Sequence, residues 1–286
     1  MRKGVFMKKR TLTACLSALL LMLTMTGCTA MDGKALSDSQ GRDLKISKVV
    51  TCDDPVAEKP VIYLYDDRNL GTSYKYTEDN ATTIRLELSN GMVKSSYPRL
   101  DPATGSWKVT AYEDGKLVDK DGKLYDYLFW DAQMRDVSKI DVDKGYSVKG
   151  EDTASFLEEK LSELGLNRRE AEDFITYWLP RMEKNPYNTI CFQTKSYTDW
   201  AKLTAEPAFD STLRVFMAWY PTDEKETIKE QSLNTIKRGK RTLVEWGGIE
   251  VRVEFVTTGS SSTTTTSTST TRHSSSGTET VNEASD

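Results

Sequence analysis

Histidine is the first residue type to consider for chemistry, and the sequence contains one, His273. It lies in a segment from Gly259 to Asp286 that is dominated by Ser and Thr. Without histidine, the rest of the chain cannot contain a Ser–His or Cys–His nucleophile pair or an HExxH zinc motif. CxxC, GxxxxGK[ST], GxGxxG and DxDxDG motifs are also missing. We therefore expect no cofactor and no metal site, which leaves catalysis by carboxylates, Tyr, Lys or an oxygen-bound metal as the enzymatic alternative.

Two carboxylates stand next to tryptophans: Asp131 follows Trp130, and Glu245 precedes Trp246. Aromatic faces can stack on sugars, and a glycoside hydrolase needs two carboxylates about 5–10 Å apart. These four residues form the first candidate binding site. The alternative is core packing, because strands and sheet cores also favour Tyr and Trp.

Arg181 and Glu183 form a second candidate, in a stretch between Pro180 and Asn185-Pro186. They could line a pocket after a kinked helix. In the alternative interpretation, Pro186 ends the helix and Arg181 pairs with a nearby acid, so that no ligand is needed.

The N-terminal residues contain the clearest motif. MKKR at 7–10 is followed by fifteen uncharged, mostly apolar residues, fewer than the ~20 that span a bilayer. A basic start and a short apolar run are typical of a signal peptide, which starts at Met1 or Met7. Met25-Thr26-Gly27-Cys28 resembles the bacterial lipobox, with Met25 where Leu is usual. The resemblance implies cleavage before Cys28 and fatty acylation of its thiol, which would hold the protein at the cell membrane, facing outside the cytoplasm. The alternative is an uncleaved anchor, or cleavage elsewhere that leaves Cys28 free.

Two further cysteines, Cys52 and Cys191, lie in the body of the chain. An exported protein can keep a disulfide, so this pair is a candidate. The bond requires Cα atoms within about 7 Å, and two reduced thiols are the alternative.

Short alternating segments predict a β-rich body. Asn90-Gly91 and Asp121-Gly122 are typical of tight hairpin turns, and Gly247-Gly248 predicts a bulge. The predicted strands are at 46–50, 60–66, 82–89, 106–112, 145–150 and 188–194, in the hairpin at 116–130, and in three segments between 201 and 256.

Two helices interrupt the strands. Residues 152–164 have apolar side chains on one stripe and end at Gly165. Asn167 and Glu170 resemble a capping box for a second helix, which Pro180 should end or kink. We expect an α+β fold, predominantly antiparallel β and sandwich-like, with an inserted helical hairpin at about 152–184.

Composition predicts four regions: a signal peptide (1–27), a lipidated tether (28–57), a β-rich globular domain (58–258) and a disordered Ser/Thr-rich tail (259–286). A division of the body near Gly150 is the alternative. Without residues 1–27, Lys+Arg falls from 39 to 34 against 43 acids, a formal charge of −9. An acidic body without a basic stripe predicts no nucleic-acid partner.

Five spaced blocks of the sequence stand out together: KPVIYLY (59–65), YLFW (127–130), FITYWLPRMEKNPYN (174–188), RVFMAW (214–219) and VEWGG (244–248). They resemble a family of uncharacterised exported bacterial proteins that open with KPVIYLYP. Asp66 stands where that opening has its last Pro. The resemblance implies a shared fold and export, and it assigns no active site.

The sequence thus favours a surface-exposed lipoprotein whose domain binds a ligand, a protein or a glycan without catalysis. A carboxylate-dependent glycan hydrolase of the cell envelope is the alternative. A cleft that contains both Asp131 and Glu245 would favour the hydrolase.

Overall fold

The computed structural model describes residues 36–37, 43–259 and 262–265. The expected signal peptide, Cys28 and most of the expected Ser/Thr tail lie outside these residues. Within the described part of the chain, no helix is long and apolar enough to cross a membrane.

The described elements follow one another in this order: β1 (Leu36–Ser37), β2 (Asp43–Thr51), β3 (Val56–Asp66), a 3₁₀ turn (Glu78–Asn80), β4 (Ala81–Leu88), β5 (Gly91–Tyr97), β6 (Ser106–Ala111), β7 (Leu117–Val118), β8 (Leu124–Tyr125), β9 (Leu128–Met134), β10 (Tyr146–Lys149), a 3₁₀ turn (Gly150–Asp152), α1 (Thr153–Glu163), α2 (Arg168–Met182), β11 (Tyr187–Gln193), α3 (Lys195–Trp200), β12 (Ala201–Glu206), β13 (Ser211–Thr222), β14 (Arg241–Glu250), β15 (Arg252–Gly259) and β16 (Ser262–Thr265).

The largest sheet has seven strands in the order β10-β11-β13-β14-β3-β9-β5. Its neighbours are antiparallel except β13 and β14, which run parallel. Two parallel neighbours need a crossover connection between them. Here the connection is residues 223–240, which form no helix or strand. We call this segment the strap.

A five-stranded sheet, β12-β4-β6-β7-β8, packs on one face of the large sheet. The two sheets share a hydrophobic core, because side chains alternate along each strand and every second one points toward the other sheet. Ile62 and Leu64 of β3 pack there with Ile84 of β4 and Trp107 of β6. This pair of packed sheets confirms the expected sandwich-like, predominantly antiparallel α+β fold.

The helical hairpin of α1 and α2 packs on the other face of the large sheet. Val61 and Tyr63, which alternate with Ile62 and Leu64, join Leu157 of α1 and Phe174 of α2. Asn167 and Glu170 form the predicted capping box. Pro180 lies inside α2, which continues to Met182.

One local prediction needs correction. Asn90-Gly91 does not join a hairpin, because β4 pairs with β6 and β12, whereas β5 pairs with β9 in the other sheet. The strand predicted at 46–50, within the tether, forms as the longer β2, which pairs antiparallel with β15 from Thr51 to Lys45. The Asp121-Gly122 hairpin forms as β7 and β8, and the register shifts between Trp246 and Gly248, as predicted.

Candidate functional site

Trp130 and Glu245 lie in the core between the two sheets, and neither is exposed. Trp130 Nε1 donates a hydrogen bond to Glu245 Oε1 at 3.1 Å, and Arg214 Nε donates to Oε2 at 2.6 Å. Desolvation lowers the pKa of Arg214, but the Glu245 carboxylate outweighs it and raises the pKa above its usual value. The group is therefore an internal ion pair, and it forms no surface for a ligand.

Trp246 is buried on the opposite face of the same sheet, beneath the helical hairpin. Its ring lies 5.1 Å from that of Phe174 in an edge-to-face contact. Neighbouring strand residues point to opposite faces, and here both faces are covered. The expectation that Trp130 and Trp246 offer stacking faces to a ligand is therefore wrong.

Asp131 and Glu245 also lie on opposite faces of the large sheet. Glu245 pairs in register with Ile62, whose side chain faces the sandwich core. Asp131 alternates with Trp130 and faces the helix side, where Oδ1 accepts a hydrogen bond from the backbone N–H of Lys59 at 2.8 Å. The two carboxylates thus cannot share a cleft.

Arg181 and Asp131 do come into one neighbourhood, through residues of β3 and α2. Arg181 pairs with Glu58 at 3.1 Å, and Tyr177 Oη donates to the same carboxylate at 2.9 Å. Glu58 precedes Lys59, whose N–H binds Asp131. Glu183, by contrast, follows the end of α2 and is exposed, and it is not part of this group.

Lys59 has an unusual backbone conformation. Its φ is +57°, a left-handed value that costs roughly 1–2 kcal/mol for a residue with a Cβ. The pairing of β3 with β9 shifts register between Ala57 and Val61, so Lys59 lies in a bulge. Its ammonium lies 5.1, 5.7 and 5.8 Å from the ring centroids of Tyr127, Phe129 and Tyr177, respectively. Strained residues of this kind are concentrated at functional sites.

Two groups beside Lys59 hold their protons more tightly than usual. Burial raises the pKa of Asp131, and the nearby Glu58 carboxylate raises it further. Burial raises the pKa of Tyr177 to about 12, and Glu58 again adds to the shift. The Asp131 carboxyl can therefore donate a hydrogen bond at a higher pH than an ordinary Asp.

Beyond these residues, the outer strand β5 leaves its helix-side face open to solvent. Met92 pairs in register with Gln133 and Tyr97 with Phe129, so both point to the same side as Asp131. Met92 is 64% exposed and Tyr97 is 66% exposed. Tyr97 also makes an edge-to-face contact with Tyr125 at 5.6 Å.

We call this surface the open face. It combines exposed apolar side chains with half-buried aromatic rings and charges of both signs. Its members are Glu58, Lys59, Met92, Tyr97, Tyr127, Phe129, Asp131, Tyr177 and Arg181.

Sequence reasoning found Asp131 and Arg181 but missed Glu58, Lys59 and Tyr177. A residue before proline normally adopts an extended backbone, so nothing in Lys59-Pro60 indicated a left-handed residue. Tyr177 lies among the apolar residues of α2, and no motif in the sequence distinguished it from them.

The two cysteines of the body do not belong to the open face. Cys52 and Cys191 are both free thiols, so the candidate disulfide does not form. Cys52 Sγ instead contacts the carbonyl of Glu250 at 3.7 Å, and Cys191 is buried in the sandwich core. Among the described residues, no group of three or more His, Cys, Asp or Glu could hold a metal ion.

The open face therefore offers hydrogen bonds, charge pairing and apolar contact, and its chemistry suits binding. In comparisons with known proteins, no family model, curated protein or solved structure matches the chain.

Proposed function

We propose that this chain is a lipoprotein anchored through Cys28, facing outside the cytoplasm, and that its β-rich domain is a non-catalytic module that binds a protein partner through the open face. The observation that carries the proposal is the uncovered helix-side surface of β5. Met92 and Tyr97 are about two-thirds exposed there, and Tyr97 lies opposite Phe129. Exposed apolar groups rimmed by polar residues mark interaction surfaces.

The composition of the open face favours a protein over a glycan. Tyr, Phe, Met and Arg are the residues enriched at protein interfaces. Sugars stack on free aromatic faces, but Lys59 lies over the rings of Tyr127, Phe129 and Tyr177. The rings of Tyr97 and Tyr125 stand at 75° to each other and form no common platform.

A glycan hydrolase is the alternative, and the open face offers it one carboxylate pair, Glu58 and Asp131. The raised pKa of Asp131 would suit a general acid. Glu58, however, is held by Arg181 and Tyr177, which leaves it poorly placed to act as a base or nucleophile. Binding without catalysis therefore explains more of the surface.

The anchor part of the proposal draws on the sequence. A basic start, a short apolar run and Gly27-Cys28 are the parts of a lipoprotein leader. The acidic body gains no attraction from an anionic membrane surface, so a lipid is the most direct means of attachment.

A photoreactive amino acid tests the open face directly. Placed at position 92 or 97 of the full-length protein in intact cells, it should form one discrete protein adduct on irradiation. Lys202 is the matched control, because it is exposed on β12 in the other sheet. A probe at position 202 should give no adduct of that size.

Two results would contradict a protein partner. One is an equal adduct from positions 92, 97 and 202, which would indicate collisions without a specific interface. The other is glycan retention by the purified protein that Tyr97→Ser abolishes, which would assign the open face to a sugar. Loss of glycan hydrolysis in Asp131→Asn would support the hydrolase instead.

A further inference from the structure

A groove of about 410 Å³ lies at the other outer strand of the large sheet, β10, away from the open face. Its size is within the range of roughly 300–1,000 Å³ typical of sites for small ligands. Residues of β10, α1, β11 and the strap line it. We call it the β10 groove, and the residues that matter here are Ser147, Lys149, Phe156, Glu159, Tyr187 and Lys225.

The backbone of β10 presents hydrogen-bonding groups toward this groove. The N–H of Gly145 donates to the carbonyl of Lys229 in the strap at 2.9 Å, so it points away from β11. Backbone groups alternate along a strand, and those of Ser147 and Lys149 therefore also point outward. Gly150 fits the same alternation, because its N–H turns inward to Pro186.

One of these outward groups already has a partner. The carbonyl of Lys149 accepts a hydrogen bond from Thr153 Oγ1 at 3.0 Å. The strap covers β10 near Gly145, and the Ser147 side chain accepts from the N–H of Glu226 at 3.0 Å. Among the described residues, the N–H and C=O of Ser147 and the N–H of Lys149 have no hydrogen-bond partner, and they form a short donor–acceptor–donor edge.

The side walls of the groove add apolar contact and opposite charges. Phe156 of α1 and Tyr187 of β11 are half-buried aromatic residues. Glu159 of α1 and Lys225 of the strap are exposed and of opposite sign. A ligand that suits all three features has a backbone amide, an apolar side chain and charges of both signs.

From these features we propose that the β10 groove binds a short extended peptide of about three residues, which adds a strand to the edge of β10. The peptide places its central apolar side chain toward Phe156 of α1. Its two flanking charged side chains alternate to the opposite side, toward the strap, where the acidic one pairs with Lys225. Strand addition to an exposed sheet edge is a general mode of peptide recognition, in which backbone hydrogen bonds supply affinity and side-chain contacts supply specificity.

Calorimetry with the full-length protein and a capped tripeptide, acetyl-Lys-Phe-Glu-amide, tests this site. We expect saturable binding with one site per chain. Methylation of the Phe amide nitrogen removes one backbone donor and should weaken binding about tenfold, the effect of one well-placed hydrogen bond. Lys225→Gln should weaken it about threefold, as expected for an exposed charge pair.

Tyr97→Ser is the matched control, because it alters the open face and leaves the β10 groove intact. It should not change the affinity for the tripeptide, so failure here and failure of the protein-partner proposal are distinguishable. Absence of binding, equal affinity for the N-methylated peptide, or loss of binding in Tyr97→Ser would each overturn the inference.

Discussion

Glu245 shows what a single carboxylate does when both faces of its sheet are covered. It is fully buried, and its oxygens accept from Trp130 Nε1 and Arg214 Nε. Neither partner can move to water without disruption of the sandwich core. The carboxylate that suggested catalysis in the sequence is therefore a structural group.

We expect Glu245→Gln to lower the free energy of unfolding by about 3 kcal/mol, because it leaves the Arg214 charge buried without its counter-ion. Urea denaturation would measure the change. Glu87→Gln is the control, since Glu87 forms an exposed pair with Lys202 at 3.7 Å, and it should cost less than about 1 kcal/mol. Equal effects of the two substitutions would contradict the buried pair.

At Lys59, two substitutions distinguish the effect of the backbone conformation on stability from that of the side chain. Lys59→Ala and Lys59→Gly both remove the ammonium from the three rings, but only Ala keeps a Cβ at φ +57°. We expect the Gly variant to be more stable than the Ala variant by about 1 kcal/mol, as judged by thermal or urea unfolding. An Ala variant as stable as the Gly variant would rule out a strained backbone at this position.

Residue types in the sequence predicted only part of the site. The core-packing alternative predicted the burial of Trp246. Nothing in TLVEWGGIE, from 242 to 250, indicated that Glu245 is buried, because its partner Arg214 lies on another strand. Lys59 could not be found either, because its bulge depends on the pairing of β3 with β9, which lie far apart in the chain.

The strap is held in place by hydrogen bonds between its own side chains and residues far from it in the sequence. Arg238 donates two hydrogen bonds to Glu170 at 2.9 and 3.0 Å, and Glu170 also closes the capping box of α2. Gln231 pairs with both the N–H and the carbonyl of Phe192 in β11. The strap thus follows a fixed path although it forms no regular element.

Glu170→Ala should release one end of the strap and destabilise α2 together. We expect a loss of about 3 kcal/mol, because Arg238 loses a buried partner, and several-fold faster trypsin cleavage after Lys237. Mass spectrometry of the fragments would locate the cut. Glu172→Ala, an exposed change two residues further along α2, should alter neither quantity. Equal cleavage in both variants would contradict this role.

Local elements were more predictable than their pairing. The helical hairpin, its capping box and the Asp121-Gly122 hairpin each depend on residues close together in sequence. The separation of β4 and β5 into different sheets depends on core packing between distant segments, and Asn90-Gly91 carries no information about it.

For the whole molecule, location is the property that the sequence predicts most directly. We expect metabolic labelling with a radioactive fatty acid to mark the wild type and to be lost in Cys28→Ala, because the thiol is the attachment point. Cys52→Ala is the matched control and should keep its label, since Cys52 directly follows β2 and contacts Glu250. Labelling of Cys28→Ala at the wild-type level would end the lipoprotein proposal.

The position of β14 has a consequence for the order of folding. This strand comes late in the chain, at Arg241–Glu250, yet it is the middle strand of the seven, between β13 and β3. Until it is delivered, the sheet consists of two separate halves, β10-β11-β13 and β3-β9-β5. Pairing β14 with β3 closes a loop of about 180 residues, and such long-range contacts form slowly. During synthesis the large sheet therefore cannot be completed before β14 has emerged, which leaves the edges of its two halves open to chaperones until then.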